Sequence, residues 1–257
     1  MISGIKNHVH FFFLECNKTY MSNRIVRKLV MVGFVLIGLV LIGFLGLQQM
    51  AQAPPSFYKD IMDMESMLDE KMRHHQAEEL VGEVVQVRND IANDPEWTFR
   101  VTDKAINSWL AEHSINELVV GLPEEVSDPR ILFQTEKLKM AFRWRGPTLQ
   151  SVVSVILRPE FVSVNELQIE LQKVQAGLLP VAWSRFQKEI QDGLNSQGFD
   201  SNWKTVGDVS VLTLKIAPLI QSKLIEIGKI TVLDGEMRIT GKSKSQISDA
   251  ASRNDPK

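Results

Sequence analysis

Leu29–Leu47 reads LVMVGFVLIGLVLIGFLGL. It holds no charged residue and no proline. Built as a helix it spans roughly 28 Å, close to the ~30 Å hydrocarbon core of a bilayer. Backbone groups in lipid have no water to bond, so such a stretch must be helical. The expectation is a single-pass transmembrane helix at 29–47 carrying one folded domain behind it. Gly33, Gly38 and Gly43 recur at five-residue steps, about 140° apart around a helix, and do not make a shared packing face.

The flanks give this helix a direction. Lys6, Lys18, Arg24, Arg27 and Lys28 precede it against one acid, Glu15, so residues 1–28 carry +4 of a total of −2 and the remainder carries −6. The positive-inside rule then keeps the N-terminus in the cytoplasm and exports the chain beyond Leu47. This reads as a signal-anchor in the inner (cytoplasmic) membrane, with an extracytoplasmic, periplasmic domain. Ala51-Gln52-Ala53 has the small-residue form of a cleavage site, so processing after Ala53 is the alternative. Pro54 beside the scissile bond and the length of the apolar run favour an uncleaved anchor. The one cysteine, Cys16, precedes the helix, so no disulfide is expected in the domain. Met21 opens a compact basic head and competes with Met1 as the start.

Beyond the apolar run, 48–93 reads as a spacer and an amphipathic stalk helix. Phe57, Ile61, Met64, Leu68 and Met72 fall at three- and four-residue steps, and Leu80, Val84, Val87 and Ile91 resume the pattern. The slip between the two runs places His74 and His75 in a solvated turn and disfavours a continuous coiled-coil stem. An extracytoplasmic α+β domain then covers 94–241. Trp97 to Val101 alternate as a strand. Thr102 caps a helix with Asp103 in its first turn, and Val101 and Ile106 stand as a hydrophobic staple. Ile106, Trp109 and Leu110 are its expected buried face, with Asn107 bonding a neighbouring loop or contacting a ligand. His113 closes the helix.

Leu138, Met140, Phe142 and Trp144 alternate with Lys139, Ala141, Arg143 and Arg145, giving a strand with an apolar inner and a basic outer face. Val152–Leu157 suggests a doubly covered strand that Pro159 breaks. Leu167, Ile169 and Leu171 complete an antiparallel meander. Trp183, Phe186, Ile190 and Leu194 form the stripe of a second helix. Residues 209–216 make a further strand, and Asp234-Gly235 signals a type I′ hairpin. Residues 242–257 read as a disordered tail. The expected fold class is therefore α+β: a transmembrane helix, a stalk helix, and a curved antiparallel sheet of about six or seven strands packed on two helices.

The chemical inventory is thin. After the apolar stretch there are three histidines, His74, His75 and His113, and no thiol. No GxSxG elbow, HExxH motif or Cys/His ligand cluster occurs. No cofactor, metal or catalytic residue is expected. Lys139, Arg143, Arg145 and Arg158 are the candidates for a basic face, read either as ordinary sheet polarity or as a docking surface for anionic headgroups or acidic glycan. The acidic balance argues against a nucleic-acid partner.

The run from Phe99 to Ala111, FRVTDKAINSWLA, resembles a group of uncharacterised single-pass envelope proteins of planctomycete type. Val126-Ser127-Asp128-Pro129-Arg130 and Lys173-Val174-Gln175-Ala176-Gly177-Leu178-Leu179-Pro180 extend the likeness over roughly residues 90–216. That group has no assigned activity, so the resemblance implies no site residue. More loosely, helix, long meander and a second helix at a Gly-x-x-Pro turn are similar in layout to tubular lipid-binding (TULIP-like) domains, which hold acyl chains against a curved sheet. That layout implies a groove lined by Phe142, Trp144, Leu167, Ile169, Leu171, Trp183 and Phe186, residues that plain core packing also explains. The function expected from these readings is a non-catalytic, membrane-anchored binding domain for an apolar, lipid-like ligand or an envelope partner protein. A structural module of the cell envelope with a solid core is the alternative. A glycan hydrolase using paired carboxylates is the third.

Overall fold

The structure is a computed structural model and describes residues 39–40, 46, 48–113, 125–146, 150–185, 187–196, 198–207, 209–216, 219–220 and 223–245. The chain divides into two units, Met1–Gln49 and Met50–Lys257. The described residues of the first are helical. The second holds the folded domain.

Two helices open that domain, α1 (Ser56–Met67) and α2 (Glu70–Asn93). The chain turns between them at Leu68, whose backbone is extended, and Asp69 restarts the helix by accepting the Met72 N–H at 2.7 Å. This replaces the expected slip after Met72: His74 and His75 lie inside α2. A Ser/Asp-type cap near a break outweighs apolar phase, because the cap satisfies backbone groups that the phase leaves orphaned.

Strand β1 (Glu96–Thr102) leads into α3 (Asp103–Glu112). Thr102 caps α3 by accepting the Ala105 N–H, and Val101 and Ile106 meet in one apolar cluster, as a staple should. β2 (Val126–Gln134), β3 (Lys137–Arg145), β4 (Gln150–Ser163) and β5 (Glu166–Ala176) form a continuous antiparallel meander. A two-residue strand β6 (Leu179–Pro180) and a 3-10 turn at Trp183–Arg185 precede α4 (Gln187–Ser196). Next come β7 (Asp200–Val206), β8 (Val209–Lys215), β9 (Leu219–Ile220), β10 (Lys223–Leu233) and β11 (Glu236–Ser245).

These strands make two sheets. One has seven strands in the order β2-β3-β4-β5-β8-β7, with β6 beside β5; the other has the order β1-β11-β10-β9. The expected α+β class with a single sheet on two helices is thus corrected to a β-rich fold with two sheets. Local periodicity sees each strand but not its partner, and β1 pairs with β11 from the opposite end of the domain, Glu96 facing Lys242. The expected membrane assignments are corrected as well: among the described residues no helix is long and apolar enough to cross a membrane. Of Leu29–Leu47 only Leu39, Val40 and Gly46 are described. Apolar length carried the transmembrane, single-pass and signal-anchor readings and the integral-membrane partnership, the basic flank added the inner-membrane orientation with its exported domain, and the described helices supply no spanning segment for either.

Several boundaries move for physical reasons. β4 runs through Pro159, because β3 accompanies it only as far as Leu157 and an open edge tolerates a missing N–H. β2 likewise runs through Pro129, with a bulge between Ser127 and Arg130 and Asp128 at φ 51°. β11 extends into the expected tail as far as Ser245, held by Lys242 on Glu96 at 2.9 Å and Lys244 on Glu226 at 2.6 Å. At the β10–β11 turn only Gly235 has positive φ, so the turn is not type I′. Asp234 instead accepts the Thr135 N–H at 2.9 Å, tying this turn to the one between β2 and β3.

The core lies where the small sheet and α2 close one end of the large sheet. Val101, Phe133 and Val232 are buried together, with Leu80, Ile131, Leu138 and Ile230 around them. A second cluster joins Ile91, Trp97 and Ile225. Trp97 fits only because Gly241 faces it: a Cβ there would strike the indole ring.

Candidate functional site

The site begins with an inverted helix. The residues of α3 buried most deeply include Asp103, Asn107 and Ser108, while Ile106 and Leu110 of the expected face are only half-buried. The reason is its neighbour. β2 is an outer strand of the large sheet, so one side of its backbone lacks a ladder partner. Asn107 supplies one: its Oδ1 accepts the Ile131 N–H at 2.8 Å and its Nδ2 donates to the Ile131 carbonyl at 2.7 Å. One turn earlier, Asp103 Oδ2 accepts the Phe133 N–H at 3.2 Å. The i, i+4 rise on a helix is about 6 Å and the i, i+2 rise on a strand about 6.6 Å, so the two spacings register. The partner of Asn107 is thus a strand rather than the expected loop or ligand.

Between α1, α2, α3, β2 and the β10–β11 turn lies a cleft of about 570 Å³. Ile61, Met64, Met67, Leu68, Leu132 and Phe133 give it apolar walls. Met64 and Met67 stand at its mouth, 56% and 83% exposed. Thioether side chains re-pack easily around varied shapes. The polar groups in the wall are mostly engaged. Ser108 donates to Gln76 at 2.8 Å. Glu65 Oε2 receives both Nε and Nη2 of the buried Arg130, at 2.9 and 2.7 Å. Glu65 Oε1 is buried without a partner among the described residues, and burial accordingly pushes the Glu65 carboxyl up against the pull of Arg130. Asp103 is likewise bonded through one oxygen: its Oδ2 accepts from Phe133, and no hydrogen bond reaches its Oδ1 among the described residues.

A second cleft, about 590 Å³, is polar, with Lys59, Arg143, Tyr58, Gln52 and Ser151 in its wall. It sits where α1 crosses the basic face of β3. That face is partly covered rather than open as expected: Ala141 is 1% exposed and packs with Tyr58, while Arg143 stays 40% exposed. Lys139 lies over the Phe57 ring at 5.7 Å, Arg143 meets Asp128 at 3.6 Å, and Arg158 meets Glu136 at 3.5 Å. Arg145 alone of the four candidates is exposed without an ion pair or ring contact among the described residues. Three of the four cations are thus already engaged within the fold.

The candidate groove residues share one sheet face. Register places Leu138 opposite Leu157 and Leu157 opposite Leu171, which puts Phe142, Trp144, Leu167, Ile169 and Leu171 on the same side. Leu171 is buried and the others are half-buried. Trp183 reaches this side through Trp203, its ring edge-on at 5.5 Å, and Trp203 faces Leu212 beside Ile169. Phe186 lies outside the described residues. The 570 Å³ cleft is elsewhere, and sequence reasoning missed it. Its signal was present in Met64, Met67 and Leu68, but periodicity assigns Met64 and Leu68 to the stripe of a stalk and passes over Met67.

Among the described residues no group of three or more His, Asp, Glu or Cys side chains could hold a metal ion. His74 contacts Glu112 at 3.2 Å and Glu78 at 3.3 Å, and its pKa is raised, chiefly by the hydrogen bond to Glu112. His113 stacks on Trp109 with ring centroids 4.9 Å apart. No protein-family model, curated protein or solved structure matches this chain.

Proposed function

We propose that this domain is a non-catalytic binding module that takes an apolar ligand in the cleft between α1, α3 and β2. The supporting observation is the cleft itself: about 570 Å³, within the range of ligand pockets, walled by aliphatic and thioether side chains with a few polar groups at the floor. Glu65 Oε2, Asn107 and Ser108 are occupied by Arg130, β2 and Gln76. Asp234 is occupied by Thr135. Glu65 Oε1 and Asp103 Oδ1 in the wall receive no hydrogen bond among the described residues, and it is the aliphatic and thioether walls that favour an apolar ligand over a glycan.

Nile red, neutral and apolar, tests this in the full chain. Its fluorescence should rise saturably with wild-type protein. Met67→Trp, which fills the mouth at an exposed position, should abolish the rise without lowering the melting temperature. Unchanged binding in that variant, or no binding at all, overturns the proposal.

A further inference from the structure

We propose that the mouth of the cleft is an oxidation site: hydrogen peroxide converts the Met67 and Met64 thioethers to sulfoxides, and the cleft then releases its apolar ligand. This rests on reading the cleft as a ligand site.

Exposure singles out these two side chains. Among the described methionines, Met67 is 83% exposed and Met64 56%, against 52% for Met72 and 43% for Met50. Met62, Met140 and Met237 are half-buried. Only Met67 and Met64 among them line the cleft. Three residues apart on α1, they stand on one face of that helix. Thioether oxidation follows access, because the sulfur lone pair must meet the oxidant. The most accessible methionine of the domain is therefore set in the wall that an apolar ligand touches.

The step balances with peroxide as the sole co-reactant. The sulfur attacks one peroxide oxygen, the O–O bond breaks and an S–O bond forms. The proton on the transferred oxygen passes to the departing one, which leaves as water. Sulfur is oxidised by two electrons and the peroxide is reduced by two.

The product is a different wall. A sulfoxide is polar and chiral where the thioether was apolar and easily re-packed. Held against an apolar chain, its oxygen is desolvated and the ligand offers it no donor. Swung out to water, it carries the side chain away and uncovers the ligand. Ile61, Leu68, Leu132 and Phe133 hold no oxidisable sulfur, so the change is confined to the mouth.

The test follows the full chain through a hydrogen peroxide time course, each sample quenched with catalase and split between peptide mass mapping and Nile red titration. Met67 should gain an oxygen first. Affinity should fall about tenfold once Met67 and Met64 are both oxidised, with the melting temperature unchanged. Met72→Leu should show the same loss, since Met72 is exposed but lies off the cleft. Met64→Leu with Met67→Leu, whatever its starting affinity, should change less than about twofold under the same treatment. Oxidation of Met72 or Met50 ahead of Met67, or unchanged affinity with both cleft sulfurs oxidised, overturns the oxidation site and leaves the cleft standing. So does a loss of affinity that comes with a fall in melting temperature, which is damage to the fold. Failure of untreated protein to bind Nile red overturns the cleft. The time course reads wild-type protein alone, so the inference stays testable if a variant misfolds.

Discussion

Two asparagines behave as detached peptide units. Asn107 pairs with the N–H and carbonyl of Ile131 on β2. Asn165, in the β4–β5 turn at φ 61°, accepts the Ile227 N–H at 2.7 Å and donates to the Ile225 carbonyl at 2.9 Å on β10. Each occupies strand backbone that would otherwise lack a partner or recruit another chain. Asn107→Ala should therefore destabilise by about 2 kcal/mol or more, because it strands two backbone groups rather than losing one bond. Urea unfolding measures this, and a loss below about 0.5 kcal/mol would contradict it. His74 gives a pH dependence of definite sign. Glu112 raises its folded pKa, so its contribution is complete below about 6.5 and fades as pH rises through the folded value. The melting-temperature gap between wild type and His74→Gln should be wider near pH 5.5 than near pH 8.5, both roughly one to two units from the free value. A gap that widens with pH refutes the contact.

Among the elements, α1 is fastened to β2 by one buried ion pair. Glu65 and Arg130 side chains are 12% and 6% exposed. Both Arg130 nitrogens converge on one oxygen, so the other oxygen is desolvated without a bond to offset it. Removing one partner alone should cost about 3–5 kcal/mol, since it leaves a buried charge. Arg130→Met should show that loss, and Glu65→Leu with Arg130→Met should recover most of it. A double variant as unstable as the single would mean that packing, not charge, holds the helix. The helix of Asp103–Glu112 shows how far sequence reaches. Its cap, its acidic first turn and its staple depend on residues within one turn, and they were legible. Its polar inner face was not, because it answers an open strand edge that only the tertiary structure creates. Pro159 failed as a breaker for the same reason: what it costs depends on whether a neighbour strand is there.

For the molecule as a whole, the meander, the terminal hairpin and the shared face of Phe142, Trp144 and Ile169 are given by alternation. The second sheet is not, since its closure joins the first strand to the last. Nor is the cleft, which takes walls from five separate elements. One consequence is that residues 94–241 would lose Ile61, Met64, Met67 and Leu68 and with them one wall of the cleft. That fragment should bind Nile red far more weakly than the full chain; equal binding would move the site to the large sheet. Methyl NMR on the full chain labelled at its methionines, titrated with dodecanol, locates the ligand outright. Met64 and Met67 line the cleft, and Met140 lies on the apolar face of the large sheet. With the ligand in the cleft, the Met64 and Met67 methyls shift saturably while Met140 stays in place. Movement of Met140 with Met64 and Met67 unmoved would refute the cleft as the binding site.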